Sequence, residues 1–349
     1  MDLVEQYHAL NRPQHPVCSV CVANYNGAAM LDDCLGSVLS QLGGVSVEII
    51  VHDDASTDDS VDLLRTRYPS VELLVSRENV GFCKANNRMV SHARGEYVLL
   101  LNNDAALHPD AILTLVEAAG LQSPGGILTM PQYDWETDKL VDRGCLLDPF
   151  YNPVPNLDQD RREVAMVIGA CFWVARDLWN DLGGFPEWLE SIGEDMYLCC
   201  VARLRGRPVQ VTAASGYRHR QGASFGGNRA TAQGLQTTFR RRYLSERNKA
   251  QVMWVCSPTP LVIPLVMLHL LLLLTEGAVL TIVRRDTRIW RQIYGKATAH
   301  VLRASFSLCV MRRREQRQRV ASLPGFLHAF SWTYRKLSLL RRYGLPRVR

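Results

Sequence analysis

Residues 17–23, 47–51, 71–75 and 97–101 are short runs of nearly uninterrupted apolar side chains, long enough for buried strands and too short for helices. Between them the period changes. Leu31, Leu35, Val38, Leu39 and Leu42 recur at helical spacing and predict a helix ended by Gly43 and Gly44. Ser56, Thr57 and Asp58 offer capping chemistry to a second helix carrying Val61, Leu64 and Tyr68. Residues 83–94 read as a third helix, broken by Gly95. Strand and helix in strict alternation predict a mostly parallel sheet flanked by helices. Beyond residue 104 the pattern loosens. A helix over 109–119 and a strand over 126–130 precede a polar, Pro/Asp/Asn-rich excursion over 132–162. An apolar stretch over 164–175, a helix over 194–205 and a strand over 208–212 follow.

The apolar runs end in polar clusters: Asn24-Tyr25-Asn26-Gly27, Asp53-Asp54, Asn102-Asn103-Asp104, Glu194-Asp195 and Tyr217-Arg218-His219-Arg220. In open α/β sheets, ligands bind at the carboxyl ends of parallel strands. A carboxylate at such an end can hold a divalent cation, and the cation can hold phosphate oxygens. Each cluster also has a plainer reading as a turn, a helix cap or a helix-start charge. No G-x-G-x-x-G follows the first strand and no G-x-x-x-x-G-K-S/T occurs, which disfavours dinucleotide and P-loop sites. Cys18 and Cys21 spell C-x-x-C inside an expected strand, without a second pair at zinc-site spacing, and read as buried thiols.

Composition sharpens this. The 349 residues are 47% hydrophobic and 21% charged, which suits globular structure over disorder. Ten scattered cysteines suit reduced thiols in a cytoplasmic setting, and residues 1–16 show no signal-peptide pattern. The net charge of +6 hides an asymmetry. Residues 284–349 carry 17 Lys/Arg against Asp286 and Glu315, a net +15, leaving −9 for the rest. The acidic part has the character of a metal-using catalytic domain, and the basic part calls for an anionic surface.

The polar clusters in their order, with Asn79-Val80-Gly81-Phe82 and Asn86-Asn87 between them, resemble the family 2 glycosyltransferases. Gly169, Gly183-Gly184-Phe185, Gly193-Glu194-Asp195 and Arg203 extend the resemblance, which covers about residues 17–224 and is nearest the rhamnosyltransferase-like branch of bacterial cell-surface polysaccharide synthesis. It implies a GT-A fold, a Rossmann-like mixed and mostly parallel sheet flanked by helices. It also implies transfer of a sugar, with inversion, from a nucleoside diphosphate sugar to a lipid-linked or polysaccharide acceptor. dTDP-rhamnose is the favoured donor and UDP-sugars remain open. Carried over residue by residue, the resemblance gives Asp53, Asn24, Asn26, Asn86 and Asn102 to the donor nucleotide. It gives Asp104 and His219 to a Mg2+ or Mn2+ ion. Asp195 becomes the base, with Glu194 orienting it or binding acceptor. Asn102 stands where many relatives have a first acid, so one ionic metal ligand is missing. Trp173 and Trp188 are candidates for stacking on the acceptor sugar, with core packing as the alternative.

Residues 261–283 form one long apolar stretch interrupted by Pro264, His269 and Glu276. Its length qualifies for a membrane span, but a carboxylate at that depth costs about 3 kcal/mol. Interleaved arginines and aromatics downstream favour attachment to an anionic membrane surface, on the cytoplasmic side. A packed appendage, a homo-oligomer interface and a single span are the alternatives, and nucleic acid is not expected as a partner. The expected divisions are a polar tail (1–16), a donor half (17–105), an acceptor and catalytic half (106–225), a helical connection (226–260) and a membrane-associating region (261–349). Two other functions compete: a sugar-phosphate nucleotidyltransferase, disfavoured by the lack of a Gly-rich basic loop after the first strand, and a non-catalytic nucleotide-sugar or glycan-binding scaffold.

Overall fold

The computed structural model describes residues 4–222, 229–231 and 234–348 and divides into two compact units. The first comprises the chain up to residue 145 together with 155–202 and 207–221. Four of the predicted strands run parallel in the spatial order Glu72–Ser76, Val47–Asp53, Cys18–Asn24, Tyr97–Asn102. They read as continuous apolar runs because helices cover both faces, so no face alternates to water. From the strand Cys18–Asn24 the chain first builds towards Val47–Asp53 and later returns to the other side with Tyr97–Asn102. A crevice opens at such a reversal. The register places Asn24 beside Asp53 and Ala23 beside Asn102, so three polar strand ends share one edge.

Past Tyr97–Asn102 the sheet turns mixed. Cys171–Ala175 runs antiparallel to it, Ile127–Thr129 antiparallel to that, and Val209–Val211 parallel at the far edge. Val20, Val22, Leu99 and Leu101 project onto Leu31, Leu35, Ile112 and Leu115 of the covering helices to form the main core. A smaller four-stranded sheet orders Ala105–Leu107, Tyr217–His219, Gln132–Asp134 and Leu140–Asp142.

Three local expectations change. The polar segment before residue 17 includes a strand, Val4–Tyr7, antiparallel to Glu72–Ser76 at the sheet edge. Arg12 anchors it by pairing with the buried Glu48 at 2.6 Å and Glu72 at 3.5 Å, a contact no hydrophobic pattern announces. The first helix spans Ala28–Leu39 and buries Leu31, Cys34, Leu35 and Val38, while Leu39 and Leu42 face solvent at its end. The 132–162 excursion contains the short strands Gln132–Asp134, Leu140–Asp142 and Cys145–Leu147, too brief for a two-residue period to register.

The second unit gathers residues 146–154, 203–206 and 222–349. Its principal described helices are Phe239–Cys256, Val262–Arg284, Gly295–Arg303, Ser305–Arg317 and Arg335–Tyr343. The early segment joins through Asp148, whose carboxylate caps its own turn and accepts the Arg335 amide at 2.9 Å. Inside lies a buried ionic network. Glu246 pairs with Lys249 at 2.9 Å, Lys336 at 2.8 Å and Arg242 at 3.1 Å. Glu276 pairs with Arg242 and Lys336 and accepts the Tyr294 hydroxyl at 2.9 Å. Burial alone would raise the Glu246 carboxyl, but Lys249, Lys336 and Arg242 prevail and hold it well below the ordinary range. Burial pulls Lys249 down to about 8 against the opposing attraction of Glu246. The carboxylate that interrupts the apolar stretch therefore has two cationic partners.

Candidate active site

Asp53 ends its strand fully buried, and its carboxylate orders the loop that follows. It accepts from Asn24 Nδ2 at 2.8 Å, the Ser56 amide at 2.9 Å and the Ser56 hydroxyl at 2.7 Å. Asn24 Oδ1 in turn accepts from Asn103 Nδ2 at 2.8 Å. Asn26 sits in the left-handed region at φ +50°, where asparagine is tolerated better than most residues. Its Oδ1 accepts the Thr57 amide at 2.7 Å, and its own amide donates to the Ser56 hydroxyl at 2.8 Å. A continuous relay therefore runs Asn103–Asn24–Asp53–Ser56–Asn26 across the three strand ends. Asp54 points elsewhere, accepting the Val80 and Gly81 amides at 2.7 and 2.9 Å, and burial raises its carboxyl above the usual range despite those bonds.

Gly27 is required by space. A Cβ there would stand 2.2 Å from Asn103 Nδ2 and 2.3 Å from Asn24 Oδ1. Any side chain would force the two amides apart.

Asp104 follows Asn103, buried, and His219 Nε2 lies 3.1 Å from its Oδ1. Strand pairing dictates the approach: Tyr217–His219 runs antiparallel to Ala105–Leu107 with His219 opposite Ala105, and the Arg220 amide donates to the Asp104 carbonyl at 2.9 Å. His219 Nδ1 is buried and makes no hydrogen bond among the described residues. The Arg220 guanidinium covers the Trp135 ring at 3.7 Å and pairs with Asp33 at 2.7 Å. No three His, Cys, Asp or Glu side chains converge among the described residues. A cation at Asp104 and His219 would take one carboxylate and one imidazole and leave the rest of its shell to phosphate oxygens and water. That donor set fits Mg2+ or Mn2+ carried in with a diphosphate.

Asp195 lies in the first turn of the helix Glu194–Leu204. The Gly169 amide donates to its Oδ2 at 3.1 Å and the Met196 amide to its Oδ1 at 2.7 Å. Ala170, next in the chain, accepts the Asn102 amide at 3.2 Å. The carboxylate is thus tethered one residue from the strand end that carries Asn102. Burial pushes Asp195 up to about 6, with the two amides opposing. Glu194 is buried beside it.

The remaining candidates separate. Trp173 is core: it is 1% exposed, lies opposite Leu99 and Leu128 in the sheet, and stacks on Tyr97 at 4.9 Å. Its burial favours the core-packing alternative over stacking on an acceptor sugar. Trp188 is half-buried and edge-on to Tyr197 at 5.6 Å. Asn86 is buried, and its amide donates to the Phe82 carbonyl one turn back in its own helix at 2.8 Å. Asn102 is half-buried at the strand end, and its neighbour Asn103 makes the side-chain bond to the relay. Asn103, Ser56 and Gly169 were the unassigned participants. All three lie inside or beside quoted motifs, but the folded chain is what shows the partners of Asn103 and Gly169, while Ser56 bonds Asp53 within its own loop. Asn87, also unassigned, pins the turn at Gly184 by bonding the Phe185 carbonyl at 2.8 Å and amide at 2.9 Å.

A parallel sheet whose polar strand ends meet at a reversal of strand order, followed by a mixed extension, is the GT-A architecture. Within it, residues 19–183 match the family described as Glycosyl transferase family 2. The succinoglycan biosynthesis protein ExoO of Rhizobium meliloti is 34% identical over 210 residues, 58% of this chain and 60% of that protein. The chondroitin synthase of Escherichia coli is 31% identical over 189 residues, 52% of this chain and 26% of that protein. The chain therefore spans less than two thirds of the length of these relatives. Among solved structures, the mannosyltransferase PcManGT from Pyrobaculum calidifontis, in complex with GDP-Man and Mn2+, is similar with a TM-score of 0.50 at 18% identity, over 90% of this chain and 86% of that one.

Proposed function

We propose that the protein is an inverting glycosyltransferase that moves a sugar from a nucleoside diphosphate sugar to a hydroxyl of a lipid-linked or cell-surface polysaccharide acceptor. The observation that carries this is the presence along one sheet edge of a buried carboxylate–imidazole pair and an ordered amide–carboxylate relay, with a third carboxylate of raised pKa tethered through Gly169 beside the residue that bonds the Asn102 strand end. In this reading Asp53, with Asn24 and Asn26, receives the nucleotide, and Asp104 with His219 holds a divalent cation. A cation held there would supply positive charge to offset that of the departing diphosphate. Asp195 takes the proton from the acceptor hydroxyl during a single displacement, and a base near pKa 6 is largely ionised at neutral pH. Glu194 orients Asp195 or contacts acceptor. The names of the polysaccharide-synthesis relatives and of the sugar-nucleotide-bound neighbour support the substrate class. The rhamnosyltransferase-like motifs favour a dTDP-rhamnose donor, with UDP-sugars as the second choice. A cytoplasmic position at the inner face of the plasma membrane agrees with the basic C-terminal third.

A donor screen by thermal shift, with and without Mn2+ or Mg2+, tests the assignment. A nucleotide sugar should stabilise the protein in a metal-dependent way, and Asp104→Ala should abolish the metal dependence. Persistence of that dependence in Asp104→Ala would refute the metal site. Transfer to membrane lipid extract should then yield a product of opposite anomeric configuration by NMR. Pyrophosphate chemistry without sugar transfer would point to a nucleotidyltransferase.

A further inference from the structure

The helix Val262–Arg284 has two unlike faces. Val262, Val266, His269, Leu270, Leu273, Gly277 and Leu280 are buried, three or four residues apart except for the adjacent His269 and Leu270. Gly277 sits against Tyr294, where a Cβ would approach the Tyr294 Cβ to 2.5 Å, so the two helices touch backbone to ring. Glu276 lies on this side, bound by Arg242, Lys336 and Tyr294. The other side is apolar and bare. Ile263, Met267, Leu268, Leu271, Val279 and Ile282 are all exposed, from 47% to 75%, along the whole length of the helix. At 1.5 Å per residue that stripe is about 30 Å long.

The charge around the stripe has one sign. Arg284 and Arg285 follow it directly and are exposed. The next helices repeat the mixture, with Leu302, Phe306 and Val310 exposed one turn apart among the exposed Arg303, Arg313 and Arg314. Only two acids occur after residue 283, and neither offers free negative charge. Asp286 pairs with Arg288 at 2.9 Å, and Glu315 is buried and pairs with Arg205 at 2.9 Å.

We infer that the exposed face of Val262–Arg284 seats in the plane of an anionic lipid surface, half-embedded and not crossing it. A bilayer offers what this face lacks, a hydrocarbon boundary beside negative headgroups. A second copy would instead bring like-charged surfaces together. Crossing would require hydrocarbon around the whole helix. Its packed side is joined to Phe239–Cys256, which carries Arg240, Arg241, Glu246, Arg247 and Lys249 and cannot follow it into the membrane. This goes beyond the proposed transfer reaction and does not depend on it.

The test is sedimentation of the purified full-length chain with vesicles of phosphatidylcholine alone or mixed with phosphatidylglycerol. The wild type should bind the mixed vesicles, more weakly at high salt. Leu271→Glu with Val279→Glu should reduce binding about tenfold or more, and the milder Leu271→Ser with Val279→Ser should reduce it in the same direction. Circular dichroism and nucleotide-sugar binding should be unchanged in both, which separates this outcome from failure of the transferase reading. Undiminished vesicle binding would overturn the inference. So would lipid-free self-association that the same substitutions abolish, since the face would then belong to a second copy. To separate seating from crossing, Cys309 is replaced by serine, because the other nine cysteines are buried. Single fluorophores at Ile263→Cys and Val283→Cys are then exposed to an impermeant quencher outside bound vesicles. Equal quenching is expected, and protection of one end alone would establish a span.

Discussion

At the scale of single residues, the site depends on side chains that hold one another. Asn24 accepts from Asn103 and donates to Asp53, so it is an adapter between two strand ends. Gly27→Ala should disturb this pair without touching the core. We expect nucleotide-sugar affinity to fall about tenfold or more by calorimetric titration, since each buried amide bond broken leaves a partner unsatisfied at about 1–3 kcal/mol. The sign for Asp195 follows from its raised pKa. In the proposed mechanism Asp195 is the base and must be ionised, so transfer should climb as pH rises through about 6 and fall away below it. Asp195→Asn should remove that limb of the pH profile and lower kcat by about 100-fold or more, with donor binding retained.

Between elements, the strand Cys171–Ala175 and the helix Phe239–Cys256 decide two questions that composition leaves open. Trp173 is buried in the main core, so Trp173→Ala should cost about 3–5 kcal/mol in denaturant unfolding. An effect on acceptor KM without loss of stability would contradict its place in the core. Glu246 joins its own helix to Lys336 in another, and Arg242 and Lys336 both reach Glu276. Removing Glu246 leaves the buried Lys249 without its carboxylate partner, so Glu246→Ala should destabilise by about 3 kcal/mol. Because the folded-state pKa of Glu246 is depressed, its contribution is complete above the ordinary glutamate value of 4.5 and is lost as pH falls below it. The acid-side slope of stability against pH should be shallower in Glu246→Gln.

For the whole molecule, the charge asymmetry separates two jobs. The sheet-bearing unit gathers carboxylates and amides along one sheet edge, and the helical unit presents arginines beside exposed apolar side chains. In the proposed function a sugar nucleotide binds the native state and not the unfolded chain. At about a hundredfold excess over Kd it should add roughly 2.7 kcal/mol of stability, measurable as a raised Tm. The substitutions on the exposed face of Val262–Arg284 should leave that increment intact.

The sequence by itself determined the alternation of strands and helices. Buried parallel strands must be apolar throughout, and that one-dimensional signal survives without any knowledge of neighbours. It also determined which strand ends carry polar groups, and hence where Asp53 and Asp104 stand, and it set Asp195 at the start of a helix. Register lay beyond it. That Asn103 reaches Asn24, that His219 approaches Asp104 across more than a hundred residues, and that Gly169 tethers Asp195 are consequences of strand pairing and chain crossing, which no local pattern encodes. The same holds for the strand Val4–Tyr7, which is polar by composition and ordered by Arg12. Glu276 is the clearest case. In sequence it is a charge interrupting an apolar run, and only the arrival of Arg242 and Lys336 from other helices makes it an anchor. Long-range electrostatics and close packing are properties of positions in space, and the tertiary structure alone supplied those positions.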